Sequence, residues 1–399
     1  MSSKLRSRFS SYCVPQKVKA QQLYPFFREI QSEQGTEVTV GGKRVLMFGS
    51  NSYLGLTTHP KVKEAALLAL RKYGSSVAGS RFLNGTSDLH VELENRLASF
   101  LGKEAVLLFS TGFQVNPGVI PTVTKKNDVI LLDRLDHASI FEGAKLSQAQ
   151  SVMFRHNDMN SLERKLQMVQ DVDFKMIIVD GVFSMEGDVA KLPEIVGLAQ
   201  KYGAVVMSDC AHAIGVMGKN GSGTASHFGI TDQVDIITGT FSKSLASLGG
   251  FAASDADTIN YMKHHAKSLI FSASMTPSSV ASALAALDIM ESDDSHRQRL
   301  WENTHYAFKL IKELGFDTGM SETPIIPIYV RDEMKTYQLT TRLLEKGVFV
   351  NPVVSPGVSP EDSLIRFSIM ATHTKEQIEK AVEILYETAK EIDLVMVAA

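Results

Sequence analysis

Lys243 stands in Gly239-Thr240-Phe241-Ser242-Lys243-Ser244, directly after the apolar run 234–237. A lysine among small hydroxyl residues, just past a buried strand, has two chemical uses. It can hold a phosphate as a point charge, or it can be an amine nucleophile that condenses with an aldehyde. A Walker-type phosphate loop needs a glycine immediately before the lysine, and Ser242 occupies that place. The Schiff-base reading therefore leads, with a solvated surface lysine as the plain alternative. Pyridoxal phosphate would test it, because its aldehyde, pyridine nitrogen, phenolic oxygen and phosphate each need a partner. Asp209, after the run 204–207, is the candidate carboxylate for the ring nitrogen; otherwise it is a helix cap or a surface acid. His212, with Ser184 beside it, can donate to the phenolic oxygen, or be a core or capping histidine. His137 can stack over the ring. Ser110-Thr111-Gly112-Phe113 offers backbone N–H groups at a strand-to-helix turn, where anions are attracted, and Thr240 and Ser242 add hydroxyls. A small-residue turn without a ligand is the alternative for both motifs.

The elements that must position these groups are legible as a pattern. Apolar runs at 106–109, 129–132, 176–179, 205–207 and 236–237 predict short strands. Helical spacing at 162–169 and 192–202 lies between them, so the middle of the chain reads as α/β with a mostly parallel central sheet. Polar stretches 110–112, 133–137, 180–184, 209–212 and 239–243 each follow a predicted strand. In open α/β sheets ligands bind outside the carboxyl ends of the strands, so five such endings predict one convergent site. Upstream, a leading helix through 26–30 and a hairpin at Gly41-Gly42 are expected. From about residue 290 the pattern changes to a helix at 297–314, strands at 324–330, 348–350 and 365–368, and a closing helix at 374–392. That mixture predicts a smaller C-terminal α+β domain. The division expected is an N-terminal segment 1–58, a large domain 59–288 and the C-terminal domain 289–399.

Composition narrows the function. The 399 residues are 44% hydrophobic and 21% charged, with a formal net charge of -3, and no basic stripe suggests nucleic acid. Two cysteines, Cys13 and Cys210, are too few for a disulfide framework or a metal site, and they fit a reducing, cytoplasmic setting. The basic N-terminus has no apolar core of a secretory signal, and no apolar stretch reaches transmembrane length. A lipid-like substrate would not show in composition, so peripheral contact with a membrane stays open.

Taken together, Thr240-Phe241-Ser242-Lys243-Ser244, Asp209-Cys210-Ala211-His212 and Val182-Phe183-Ser184-Met185-Glu186-Gly187-Asp188 resemble the α-oxoamine synthases, pyridoxal-phosphate transferases of fold type I (aspartate aminotransferase-like). The resemblance runs from about Tyr24 to Ile392 and includes Asn51-Ser52-Tyr53-Leu54-Gly55-Leu56, Ala78-Gly79-Ser80-Arg81 and Arg366. Gly79 to Thr86, Lys191 to Val196, Gly239 to Gly250 and Leu364 to His373 are most similar to members that join L-serine to a long-chain acyl-CoA. The resemblance implies that Lys243 forms the Schiff base and then serves as acid and base. It implies that Asp209 pairs with the ring nitrogen, that His137 stacks on the ring and helps orient the substrate carboxylate, and that His212 and Ser184 reach the phenolic oxygen. Gly112, Phe113, Thr240 and Ser242 would hold the phosphate, joined by Ser272 and Ala273 of the neighbouring subunit of a homodimer. Arg366 would bind the amino-acid carboxylate, with Asn51 and Ser80 near cofactor and substrate. Two stretches depart from the family pattern: Cys210 stands where relatives carry a second acid, and Ser75-Ser76-Val77 replaces a glycine-richer run. Rival readings are a sister synthase using glycine or alanine, and a partner subunit that keeps the fold without the chemistry. A DNA-binding regulator would need a helix-turn-helix module for which the short N-terminal segment has no room.

Overall fold

The computed structural model describes residues 3–394. Seven strands form the central sheet: β1 (Ala105–Phe109), β2 (Val129–Asp133), β3 (Gln150–Phe154), β4 (Lys175–Asp180), β5 (Ala204–Asp209), β6 (Ile236–Thr240) and β7 (Gly250–Ser254). Their spatial order is β1-β7-β6-β5-β4-β2-β3. All neighbours run parallel except around β7, which is antiparallel to both β1 and β6. The five predicted strands are all present. β3 and β7 escaped prediction, because β3 opens on Gln150-Ser151 and leaves only a three-residue apolar run, and β7 reads Gly-Phe-Ala-Ala-Ser without a branched residue.

Apart from the edge strand β3, the strands are buried on both faces, as their apolar runs require. In β4, Ile177 and Val179 join one apolar layer while Met176 and Ile178 join the other. One layer holds the helices Asp88–Leu101, Leu192–Tyr202 and Pro277–Ser292; the other holds Gly112–Val123, Ala138–Leu146 and Ala256–His265. The carboxyl ends of β2, β4, β5 and β6 therefore open on one edge between covered faces. The small residues of β7 have a packing reason. A Cβ on Gly250 would sit 2.8 Å from Gly112 Cα and 2.7 Å from Val115 Cγ2, so glycine lets the helix start of Gly112–Val123 approach the sheet.

Toward the C-terminus, β8 (Ile325–Tyr329), β9 (Asn351–Val353) and β10 (Leu364–Ser368) form a separate antiparallel sheet in the order β8-β10-β9. The closing helix spans Lys375–Glu391 and begins with a capping box between Thr374 and Gln377. The hairpin at Gly41-Gly42 is present, both glycines at positive φ, and its second strand Lys43–Met47 pairs in parallel with Val348–Phe349. The leading helix is displaced: helices occupy Lys4–Phe9 and Val14–Ala20, whereas 26–30 is irregular and Ile30 bridges Val40. Pro25 disfavours helix at Tyr24, and Phe27 takes φ 54°, which together break the helical spacing there.

Between β3 and the turn before Ala190, His156 is clamped by Asp133 and Asp188, with both nitrogen–oxygen distances 3.0 Å. Burial alone would depress the imidazolium, but the two carboxylates outweigh it and lift His156 to about 10. A folded-state value above the ordinary 6.5 means the stabilisation is complete below pH 6.5 and is lost as pH rises through about 10. His156→Gln is expected to cost about 2–4 kcal/mol at pH 6, and the gap to the native chain should close toward pH 10. Urea unfolding at pH 6, 8 and 10 measures it; a gap that widens with pH would contradict the assignment.

Candidate active site

A cavity of about 280 Å³ opens at the carboxyl edge of the sheet, lined by Gly112, Phe113, His137, Asp209, His212, Thr240, Ser242 and Lys243 among others. Eight of the residues singled out from sequence thus meet in one place. Each comes from a strand ending or the turn after it, which is why a parallel sheet brings them together across more than a hundred positions.

Lys243 follows β6 in the connection to β7. Burial lowers its amine to about 8, with Asp209 opposing the shift and Arg366 adding to it. Asp209 ends β5; its Oδ2 accepts from Asn116 Nδ2 at 2.7 Å and its Oδ1 from the Ala211 amide at 2.9 Å. The carboxylate is therefore fixed in orientation beside Lys243. His212 is buried and held well below the ordinary imidazole range, by burial first and then by Lys243, Arg366 and His137. Tyr53 accepts from Arg366 Nη2 at 3.0 Å and lies 2.6 Å from His212 Nδ1, a bond that leaves the His212 proton on Nε2 when the tyrosine hydroxyl is the donor.

At the opposite end, Thr111 caps the helix Gly112–Val123. The Gly112 and Phe113 amides, in its first turn, have no intrahelical acceptor. Thr240 Oγ1 lies 2.9 Å from Ser242 Oγ and completes a polar rim. A Cβ on Gly112 would fall inside van der Waals distance of Thr240 Oγ1, so the glycine keeps an anion-sized cradle open. Amine, fixed carboxylate, imidazole donor and amide cradle are the four partners that pyridoxal phosphate requires, and they fit it. Gly112→Ala is expected to weaken the chain's affinity for pyridoxal phosphate by about tenfold or more through overpacking at the cradle. Absorbance titration of the cofactor-free protein checks this.

The remaining predicted residues lie around the cavity. Arg366, on β10 and only 5% exposed, donates from Nε to the Ser184 carbonyl at 2.7 Å and from Nη1 to Asn51 Oδ1 and Ser368 Oγ, both at 2.7 Å. With the Tyr53 bond, one N–H of its five remains unengaged. Ser184 thus contributes its carbonyl to Arg366 and is not among the cavity-lining residues. Ser80 also lies off the cavity, its buried hydroxyl lacking a partner, in a loop whose Gly79 carbonyl accepts from the Ser274 amide at 2.9 Å. Ser272 and Ala273 contact this chain's own Gln114 and Ser110 outside its cavity. Cys210 is fully buried in the core, where burial raises its thiol, and it does not line the cavity.

Sequence reasoning missed Asn116, Ser139, Leu248 and the role of Tyr53, and named Asp180 only as part of a polar turn. Asp180 lines the cavity and accepts the His137 amide at 2.8 Å; burial, reinforced by Asp209, raises its carboxyl well above the usual range. A polar residue in the apolar stretch Val115-Asn116-Pro117-Gly118-Val119-Ile120 was the available signal for Asn116.

The chain is 56% identical over 391 residues to a serine palmitoyltransferase of Sphingobacterium spiritivorum, covering 98% of each chain. It is 41% identical to an 8-amino-7-oxononanoate synthase of Thermoanaerobacter pseudethanolicus, covering 95% of this chain and 96% of the relative. A solved high-resolution structure of SPT with PLP as internal aldimine superposes with a TM-score of 0.95 at 33% identity, over 98% of this chain and all of that one. The family model for aminotransferase class I and II matches residues 43–385. These similarities agree with the α-oxoamine synthase resemblance, and the chain belongs to the aminotransferase class I and II family.

Proposed function

We propose that this chain is a pyridoxal-phosphate enzyme that condenses L-serine with a long-chain acyl-CoA, palmitoyl-CoA in the first instance, releasing CoA and carbon dioxide and giving 3-oxosphinganine. That is the serine palmitoyltransferase reaction, the first step of sphingolipid synthesis. The observation that carries the reading is the meeting of Lys243, Asp209 and the Gly112 cradle in one cavity, in a chain so similar to a serine palmitoyltransferase.

When bound, the cofactor supplies an electron sink that spreads the charge left on the substrate α-carbon. The chain's own groups do the rest. Gly112 and Phe113 amides with Thr240 and Ser242 hydroxyls bind the phosphate, and the Asp209 carboxylate holds a proton at the ring nitrogen. His212 donates from Nε2 to the phenolic oxygen. Lys243 Nζ, lowered to about 8, takes the α-proton and later returns one, because a useful part of it is neutral near physiological pH. Arg366 orients the serine carboxylate with its unengaged N–H, and a second N–H becomes available only by displacing Ser184, Asn51, Ser368 or Tyr53. His137, which lines the cavity, would cover the ring and exclude water.

The reading extends to a homodimer in which Ser272 and Ala273 complete the partner's phosphate site. Their position outside their own cavity supports it, as do the exposed Phe271 (83%) and Leu83 (77%) nearby in sequence to Ser272 and Ser80. Peripheral membrane contact belongs to the same reading. Lys4, Arg6, Arg8, Lys17 and Lys19 share the N-terminal segment with exposed Leu5, Phe9 and Tyr12, and among the described residues no helix is long and apolar enough to cross a membrane.

Thiol release from palmitoyl-CoA by the cofactor-loaded protein, with serine, glycine or alanine in parallel, tests the function. Serine-dependent release with 3-oxosphinganine as product is expected. Preference for glycine or alanine would keep the family chemistry and overturn the substrate.

A further inference from the structure

Beneath the cavity, three buried polar side chains form a chain of hydrogen bonds that the reaction as described does not use. Asn116, Ser139 and Thr238 are each 1% exposed or less. Thr238 Oγ1 donates to Asn116 Oδ1 at 3.3 Å. Asn116 Nδ2 donates to both Asp209 Oδ2 at 2.7 Å and Ser139 Oγ at 2.9 Å, using its two protons. An inverted amide would set Oδ1 against the Asp209 carboxylate, acceptor facing acceptor, so the orientation is fixed. Ser139 Oγ, already accepting from Asn116, lies 2.7 Å from His137 Nδ1, and the Ser139 amide donates to the same nitrogen at 3.2 Å. The amide bond makes His137 Nδ1 an acceptor, and the Ser139 hydroxyl is then free to donate to the same nitrogen.

We infer that Asn116 is a positioning residue: through Ser139 it holds His137 in the tautomer with Nδ1 bare and its proton on Nε2, and it couples that tautomer to the carboxylate of Asp209. Protonating Nδ1 would make the Ser139 hydroxyl oxygen accept from both Asn116 and His137, and would set an N–H against the Ser139 amide. One buried amide thus orients both the group expected under the cofactor's ring nitrogen and the group expected over its face. The charged groups facing His137 are Asp209 and Lys243 across the cavity, neutral His212 beyond them, and the Asp180 carboxyl at its backbone amide. Burial and Lys243 disfavour the imidazolium while Asp209 favours it, and the net lowering of His137 agrees with a bare Nδ1.

The consequence for catalysis rests on the cofactor reading, but the network itself is testable without cofactor. In the cofactor-free full chain labelled with ¹⁵N and ¹³C in histidine, His137 (assigned with His137→Gln) should show an unprotonated Nδ1 and titrate below the ordinary histidine range. Asn116→Leu and Ser139→Ala should each raise that midpoint by about one pH unit, and Ser139→Thr, which keeps the hydroxyl, should restore it. With pyridoxal phosphate added, the pH midpoint of its visible band should move in the same two variants and return in Ser139→Thr. A native His137 titration in both variants, with only thermal stability lowered, would reduce the residues to packing and overturn the inference. A shift in Ser139→Ala but none in a folded Asn116→Leu would overturn Asn116's part. Should Asn116→Leu fail to fold, Asn116→Ser takes its place with the same expected shift. Absence of any cofactor band in the native chain would sink the cofactor reading, while the histidine titration would still decide the network.

Discussion

Lys243→Ala is expected to lower turnover by about 10⁴-fold or more, the scale of losing a nucleophile and acid–base group that acts as one unit with its neighbours. Among the described residues lining the cavity it is the one lysine, so no second amine stands ready to replace it. Cofactor should still bind, because Asp209, the Gly112 cradle and the Thr240 and Ser242 hydroxyls remain. The attachment should change: borohydride treatment fixes the cofactor's mass to Lys243 in the native chain and leaves the variant unmodified. Mass spectrometry and thiol release together check this, and unchanged turnover would end the proposed mechanism. A pH signature accompanies it. Only the neutral amine condenses with an aldehyde, so the rate of covalent capture by the cofactor-free chain should rise with pH and level off above about 8.

Asp209→Asn is expected to reduce kcat by about 10²–10³ while KM for serine stays within a few-fold, the pattern of an interaction made chiefly in the transition state. The site is built for a carboxylate. Its two oxygens already accept from Asn116 Nδ2 and the Ala211 amide, so an amide here must set its NH₂ against one of those donors. The rearranged side chain then holds no proton at the ring nitrogen, and the electron sink weakens. Steady-state kinetics with serine give the split. A large rise in KM with kcat intact would instead assign Asp209 to substrate binding.

The parts of this site legible in sequence share a simple grammar. Lys243, Asp209 and His137 each follow an apolar run, and a parallel sheet delivers such endings to one edge whatever their separation along the chain. What stayed hidden has other causes. Asn116 sits inside an apolar helix and gains its meaning from Thr238, far along the chain, across a close helix–sheet contact that only glycines at 112 and 250 permit. Tyr53 and Arg366 meet by tertiary packing between elements at opposite ends of the sequence, which no local spacing encodes. The expected freedom of the Arg366 fork to take a carboxylate depended on counting donors, and four are already committed to Ser184, Asn51, Ser368 and Tyr53. The helix placed at 26–30 does not form because Phe27 takes φ 54°, a left-handed conformation that hydrophobic spacing does not announce.

Those four bonds of Arg366 also bear on the order in which the molecule is made. Asn51, Tyr53 and Ser184 leave the ribosome long before Arg366 and Ser368 are synthesised, so a nascent chain can hold the strand endings and the lysine yet lack the strap that ties them to the C-terminal sheet. His212 would meanwhile have a tyrosine whose hydroxyl is not yet oriented by the guanidinium. Assembly of a competent site therefore waits until the C-terminal sheet has been translated. A truncation before residue 366 should yield a chain that accumulates as a chaperone client and not as a slow enzyme.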